Sequence, residues 1–525
     1  PSLYRRVKEA VAAGRWECQG GMWVEADCNV TGGESLVRQL VHGIHFYLDE
    51  FGVRVRNLWL PDVFGYSANL PQILHRAGVD YFLTQKMSWS RYNTFPHNTF
   101  VWRAIDGSEV LAHFPPENNY NSNALPGAIR KNESRNSERG LVPLAIALFG
   151  IGDGGGGPKE EHVEHALRAR DLNGVPRYRL GPAQPTLEAM DKCREKLDVW
   201  VGELYLEVHR ATLTTQAETK KLNRRLEEAL RATETICSMG DIGTYPAEAL
   251  DRIWKALLIN QFHDILPGSS IHMVYENTNR ELSEAIAECA ELRREALIDS
   301  MEADTDCAVL INPSSTTFDD VVALPDGWRG AVAADGEELP LQLGDGDILA
   351  RIRLEGGRIA VIRRGEAQTG LWEQTPASEL VLENELIMYR FDENLRLTAA
   401  FDKEADRSVM PAQQKGNVLT LYEDRPHNFD AWDIDEYYEN VPLSTAQLDG
   451  EISKTSGPLF SDLAASFHVG VQSSLTQTVR LRRNSKRLDF RTNVEWRERH
   501  KMLRVSFPTA IHADAATFEI QYGHI

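Results

Sequence analysis

The sequence predicts a multidomain protein of α/β plus all-β class, in which an α/β region leads into a three-helix bundle and then into β-sandwich domains. Three observations carry that reading. Between Val53 and Gln85 two short apolar runs flank a helical apolar stripe. From about residue 206 to 302, stretches rich in Leu, Ala, Glu and Arg repeat apolar residues every third or fourth position. After Ala303 that period stops, and turn signals separate short Val, Ile and Leu runs. The 525 residues correspond to roughly three or four domains at about 150 residues each.

In the first region, residues 1–205, Val55, Leu58 and Leu60 mark a strand, and Ser67 is placed to cap a helix. Leu70, Ile73, Leu74 and Ala77 then share one helical face, Gly78 ends the helix, and Val79 to Leu83 is the next strand. A β-α-β unit implies a parallel sheet, whose ligands gather at the carboxyl ends of its strands. The bundle, residues 206–305, shows three stripes: Leu222, Leu226 and Leu230; Leu250, Trp254, Leu257 and Leu258; Leu282, Ile286, Cys289 and Ala290. Breaks at Gly240 to Pro246 and at Pro267-Gly268 separate them. Turn signals such as Asn312-Pro313, Asp335-Gly336 and Glu355-Gly356-Gly357 divide the remainder into a small β domain, 306–372, and a larger β-sandwich, 373–525.

Composition narrows the function. With 57 Lys+Arg against 77 Asp+Glu the formal charge is −20, which repels phosphate backbones. The basic group Lys220, Lys221, Arg224 and Arg225 is interleaved with Glu and Leu in a helical pattern, so nucleic acid is not an expected partner. No apolar run reaches about 18 residues, so no membrane span is expected. Six cysteines without a C-x-x-C pair argue against a zinc ribbon or a disulfide framework and suit a reducing compartment. The chain opens on Pro1, with no basic segment leading into an apolar one.

Five segments hold residues suited to chemistry. In Trp59-Leu60-Pro61-Asp62-Val63-Phe64-Gly65-Tyr66, at the end of the first strand, Asp62 is flanked by aromatic rings. It reads as the nucleophile of a sugar-cleaving enzyme, since aromatic faces stack on pyranose rings, or as a cap for the following turn. Gly150 to Pro158 is a glycine-rich loop with one carboxylate, Asp153, which reads as a general acid or as part of a flexible loop. A phosphate cradle fails there, because Pro158 stands where Lys should follow Gly157. Asn260-Gln261-Phe262-His263-Asp264 ends the middle helix; His263 reads as a metal ligand with Asp264 beside it, or as a satisfied core histidine. Gly202 to Arg210 and Phe429 to Asp435 are dense in carboxylates and aromatics, read either as carbohydrate-recognition surface or as solvated charge.

Together these segments resemble glycoside hydrolase family 38, the α-mannosidases, and within it the branch of cytosolic and vacuolar enzymes. The likeness runs through Gly20 to Leu40 (GGMWVEADCNVTGGESLVRQL), Leu58 to Leu74, Tyr81 to Asn121, Gly150 to Pro158, Gly202 to Ala217, Asn260 to Ser269 and Tyr422 to Tyr438, in the family's order. It implies that residues 1–205 are most of an incomplete α/β barrel-like catalytic domain. It also implies a retaining hydrolase of terminal α-D-mannosidic bonds, with Asp62 as nucleophile and metal ligand, His263 as a further ligand and Asp153 as acid/base. Asp264 would accept a substrate hydroxyl and Lys86 would stand near the nucleophile. Phe64, Tyr120, Asn121, Glu203, His209, Arg210, Trp432 and Asp433 fall in segments implied to bind substrate. The implied cofactor is one divalent metal, zinc or else cobalt(II), that holds and orients sugar hydroxyls. The implied partners are α-mannoside oligosaccharides, with homo-oligomerisation open, and the implied location is cytoplasmic.

Two departures from the family pattern stand out. The branch shows His-Arg-Gly-Thr-Tyr-Thr where this chain reads His209-Arg210-Ala211-Thr212-Leu213-Thr214, losing a ring and a hydroxyl. No His-Ala-His-Ile-Asp-like strand, the family's source of two more metal ligands, occurs in the 525 residues. The resemblance therefore implies a chain truncated at both ends, with weak metal binding and little activity as it stands. Two other readings follow from the same residues: a mannoside-binding protein without catalysis, and a metal phosphohydrolase built on His263 and Asp264.

Overall fold

A computed structural model describes residues 2–153, 155–298, 305–370, 373–376 and 379–525. Gly154, residues 299–304 at the end of the expected bundle, and residues 371–372 at the expected boundary of the two β domains lie outside the described residues. The chain divides into two compact units. The first comprises Pro1–Arg294, Asn428–Asp433 and Thr517–Ile525; the second comprises Glu295–His427 and Ile434–Ala516.

The first unit opens with helices α1 (Ser2–Ala12) and α2 (Gly33–Phe51), followed by β1 (Asn57–Trp59), α3 (Leu70–Ala77) and β2 (Tyr81–Leu83). Strands β3 (Thr99–Arg103) and β4 (Glu109–His113) come next, and helices α4 (Pro126–Arg135), α5 (Glu160–Arg168) and α6 (Gln184–Asp191) precede β5 (Val199–Val201). The strands form one open sheet in the order β1-β2-β4-β3-β5. Its pairs are parallel, with Leu58 opposite Phe82 and Phe82 opposite Ala112, except for the antiparallel β3-β4 pair. Leu36, Leu40 and Ile44 of α2 and Leu70, Ile73 and Leu74 of α3 share one core with Leu58, Phe82, Phe100 and Trp102. Removing a side chain such as Leu58, which is wholly buried, costs about 2–5 kcal/mol.

Glycine lets α2 approach the preceding segment. A Cβ on Gly43 would stand 2.4 Å from the Gly21 carbonyl oxygen and from Met22 C, so only a bare backbone fits there. Trp23 N–H donates to the Gln39 carbonyl at 2.8 Å and Val24 N–H to Gln39 Oε1 at 3.1 Å, which seats residues 21–25 along the helix.

The cap of α3 differs from expectation. Asn69, not Ser67, is the cap residue; it makes no side-chain cap bond, and its Nδ2 donates to the Gln521 carbonyl at 2.9 Å. Ser67 instead accepts the Leu70 amide at its carbonyl, at 3.0 Å. Gly78 ends the helix as expected, at φ +72° in the left-handed region.

Helices α7 (Ala217–Cys237), α8 (Ala247–Asn260) and α9 (His272–Ile298) bury Leu222, Leu226 and Leu230 against Ile253, Trp254, Leu257, Leu258, Leu282 and Cys289. The third stripe turns by part of a helical step: Ala285 is buried, whereas Ala290 is exposed. Glu227 of α7 closes the N-terminus of α2, accepting Gly32 N–H and Ser35 Oγ–H, each at 2.8 Å. Gly32 has no side chain with which to cap that helix, so the bundle supplies the carboxylate that its free amides and dipole favour. Gln261 Nε2 donates to the same Glu227 oxygen at 3.1 Å.

The second unit is antiparallel throughout its described strands. Strands Phe318–Ala323, Leu341–Gly344 and Asp347–Leu354 form one three-stranded sheet, and Cys307–Ile311, Ala331–Val332 and Ile359–Arg364 form another. They close over Trp328, Leu341, Ala350, Ile352 and Ile362. Further on, a five-stranded sheet includes Gln447–Ser456, Phe460–Val469, Ser473–Arg482 and Leu488–Glu495, and a core of Leu382, Phe391, Leu421, Leu463, Phe467 and Val479 lies within this part. Among the described residues no helix is long and apolar enough to cross a membrane.

Candidate active site

Beyond β1 the chain runs through Leu60 and Pro61 to Asp62, at the carboxyl end of a strand. Tyr66 fixes this turn, its hydroxyl donating to the Leu60 carbonyl at 2.7 Å beside Thr84 Oγ1 at 2.6 Å. After β2 a short 3-10 turn, Lys86–Trp89, delivers Lys86, whose Nζ lies 2.7 Å from Asp62 Oδ1. Lys86 is only 4% exposed, so its ammonium depends on that carboxylate and on the ring faces of Phe64, 5.2 Å away, and Trp89, 4.0 Å away.

The third contributor arrives from the bundle. Past the end of α8, Phe262 bridges Ala26 and the His263 amide donates to the Glu25 carbonyl at 3.1 Å. His263 Nδ1 lies 3.0 Å from the same carbonyl oxygen, which can only accept, so Nδ1 is the donor of that contact. Nε2 faces Asp62 Oδ2 and Asp264 Oδ2, each at 3.8 Å. Asp264 Oδ1 accepts from Ser269 Oγ at 2.8 Å and from Trp432 Nε1 at 3.1 Å, leaving Oδ2 turned towards the histidine.

Lys220 stabilises the turn that follows. Its ammonium donates to the carbonyls of Thr215, Leu266 and Pro267, and burial lowers its pKa to about 8 in spite of the nearby Asp27 charge. His209, in a left-handed conformation at φ +62°, directs both its amide and Nδ1 at Asp433 Oδ1 and sets its ring edge-on to Phe64 at 4.8 Å. Arg91 reaches the other oxygen of Asp433 at 3.5 Å.

Tyr120 joins Asp62 to the glycine-rich loop. Burial, then the charges of Asp62, Asp153 and Glu25, and a hydrogen bond with Asp62 hold its phenol well above the usual range, so it keeps its proton. Gly152 N–H donates to Asn121 Oδ1 at 2.5 Å, and a Cβ on Gly152 would come within 3.0 Å of the Tyr120 ring. Asp153, the next residue, is exposed.

Asp62, Phe64, Lys86, Tyr120, His209, His263, Asp264, Trp432 and Asp433 are thus linked by contacts into one cluster. Glu203 and Arg210 lie to one side, lining a neighbouring cavity of about 720 Å³ that shares Phe64 and His209. Burial raises the Glu203 carboxyl. Sequence reasoning assigned no role to Glu25, whose Oε1 accepts the Asp62 amide at 2.8 Å. Burial pushes Glu25 up, partly offset by the His263 charge and the Asp62 N–H. Its signal was a carboxylate within the otherwise apolar run Met22-Trp23-Val24.

For a divalent metal, the cluster presents Asp62 Oδ2 and His263 Nε2, oriented by the Nδ1 contact with the Glu25 carbonyl, on facing sides of a gap. A histidine whose Nδ1 is held by a backbone carbonyl, as His263 is by Glu25, is oriented as metal-binding histidines are. Two donors fall short of the four that zinc takes, and among the described residues no group of three or more His, Cys, Asp or Glu could hold a metal.

Comparison with known proteins follows the whole chain. Residues 1–203 match the family 38 glycosyl hydrolase N-terminal domain, 207–299 the alpha-mannosidase middle domain, and 382–525 the family 38 C-terminal domain. Alpha-mannosidase 2C1 of Homo sapiens is 35% identical over 538 residues, covering 100% of this chain and 50% of the human protein. Alpha-mannosidase G of Dictyostelium discoideum is 34% identical over 100% of the chain and 52% of its own length. The alpha-mannosidase of Saccharomyces cerevisiae is 31% identical over 96% and 46%. This chain spans about half the length of these relatives. In fold it resembles the crystal structure of an alpha-mannosidase from Enterococcus faecalis V583, with a TM-score of 0.77 at 18% identity over 99% of this chain and 70% of that one. Three consecutive domains in the family's own order leave one conclusion: the chain belongs to glycosyl hydrolase family 38.

Proposed function

We propose that the chain is part of a retaining glycoside hydrolase that cleaves terminal α-D-mannosidic bonds of oligosaccharides, with Asp62 as nucleophile. The observation that carries the reading is the setting of Asp62: a buried ammonium at 2.7 Å on one oxygen and the His263 imidazole at 3.8 Å facing the other. Lys86 pairs with Oδ1 of the carboxylate and limits its rotation. Attack on the anomeric carbon forms a glycosyl ester on Asp62, while Asp153 gives its proton to the leaving oxygen. Water, activated by Asp153 now acting as base, then releases the sugar. Asp264 Oδ2 accepts a hydroxyl of the bound mannose, with Ser269 and Trp432 holding its other oxygen.

Asp62 and His263 would hold a divalent metal, for which zinc is the proposal and cobalt(II) the alternative, together with a His and an Asp that the family resemblance implies. Bound there, the metal would orient adjacent sugar hydroxyls. The open five-stranded sheet is read as part of the barrel-like catalytic domain, and a sequence whose six cysteines form no C-x-x-C pair supports a reducing, cytoplasmic location. The test is hydrolysis of p-nitrophenyl α-mannoside by the full-length gene product with added zinc, beside Asp62→Ala. Turnover lost in the variant with its fold retained is expected; an inert intact protein, or wild-type activity in Asp62→Ala, overturns the reading.

A further inference from the structure

We propose that Trp89 and Phe429 form a platform for the second sugar of the oligosaccharide, the residue on the leaving-group side of the scissile bond. The proposal rests on the mannosidase reading above. Trp89 closes the short turn that begins at Lys86, and the Lys86 ammonium stands between the two: 4.0 Å from the Trp89 ring centre and 2.7 Å from Asp62 Oδ1. One side chain therefore separates the tryptophan face from the attacking carboxylate. The Phe429 ring lies 5.5 Å from that of Trp89 and 5.8 Å from that of His209, extending the same surface outward. Both rings are open to water, at 36% and 48% exposure.

Backbone conformation is the independent observation. Phe429 has φ +54°, a left-handed conformation that bulky side chains rarely adopt and that Gly or Asn takes at little cost. It is held there because its carbonyl accepts both the Trp432 and the Asp433 amides, at 2.8 and 2.9 Å. Half exposed, the phenyl ring returns little folding energy for that strain. Strained residues retained beside a reactive centre are explained by what they contact there. A two-ring surface, its rings inclined at 42° to each other like the sides of a shallow cradle and close to a sugar-cleaving carboxylate, suits the C–H face of a pyranose, and the neighbouring Arg91–Asp433 pair suits its hydroxyls. Two rings are too small a patch for a protein partner, which covers roughly 800 Å² per side.

The test compares two substrates on the full-length enzyme: α-mannosyl fluoride, whose leaving group is a single atom, and an α-linked mannobiose, which fills the second subsite. Phe429→Gly removes ring and strain together. The platform predicts that Tm holds or rises while the mannobiose-to-fluoride ratio of kcat/KM falls about tenfold, the size of one lost stacking contact. Trp89→Ala is expected to lower the same ratio, with Trp89→Phe recovering part of it. An unchanged ratio in both variants of an active enzyme overturns the platform, as does a lower Tm with both substrates losing equally. A wild-type enzyme inert on both substrates overturns the parent reading instead.

Discussion

Acidification is expected to destabilise the first unit through His113. This imidazole lies on β4, wholly buried, with Nδ1 3.0 Å from Thr99 Oγ1 and Nε2 accepting the Ile146 amide at 3.1 Å. Only the neutral ring fits, because a proton on Nε2 would point at another N–H. Burial lowers its pKa from 6.5 to about 3. Between those values the unfolded chain binds a proton that the folded chain refuses, so this contribution is complete above pH 6.5 and is lost as pH falls. The loss reaches about 2 kcal/mol at pH 5 and about 4 kcal/mol near pH 3. Urea unfolding of the wild type and of His113→Gln at pH 7.5, 6.0 and 5.0 measures it: the wild type should lose about 2 kcal/mol more than the variant over that range. Equal slopes would refute the reasoning. Ile146 leads into the segment where Ser122 pairs with Leu148 and Gly150, next to Asp153, so activity should fall before the unit unfolds.

Two further outcomes bear on the chemistry. Asp153→Asn should slow mannosides with poor leaving groups at least about a hundredfold, and activated aryl mannosides far less; steady-state rates across a leaving-group series check this, and an equal effect on all would remove Asp153 from the acid role. Above about pH 8 Lys220 loses a proton and keeps two N–H groups for three carbonyls, loosening the turn after Asp264. KM should therefore rise through that pH, and Lys220→Arg should move the rise upward by at least about one unit; identical KM profiles would exclude Lys220 as its origin.

What the sequence revealed depended on how local the determining physics was. The β1-α3-β2 unit was readable because strand and helix periods are local, and Asp62 because the carboxyl end of a parallel strand has a known use. The cap of α3 was misjudged because Asn69 is engaged by Gln521, a partner 452 positions away that no local pattern discloses. Glu25 showed locally only as a carboxylate beside an apolar run, and its role arises only when the end of α8 folds back onto it. Lys86 came into view through the family likeness, since a lone lysine after a strand carries no signal of its own. Trp89 and Phe429 were visible as aromatics, but a left-handed φ is a property of the folded backbone.

The carboxylate of Glu227 has a consequence for how the chain can be divided. It closes the first turn of α2 and holds Gln261, whose carbonyl receives the Asp27 amide at 2.9 Å two residues before His263. The sheet region thus borrows a helix cap from the bundle, and the bundle returns a histidine to the sheet's reactive edge. A cut near residue 205 would sever that exchange in both directions, leaving α2 with unsatisfied amides and Asp62 without its imidazole. The smallest cooperative folding piece that contains the site is therefore the sheet together with the bundle, and a substitution in the interior of α7 would be felt at the site through it.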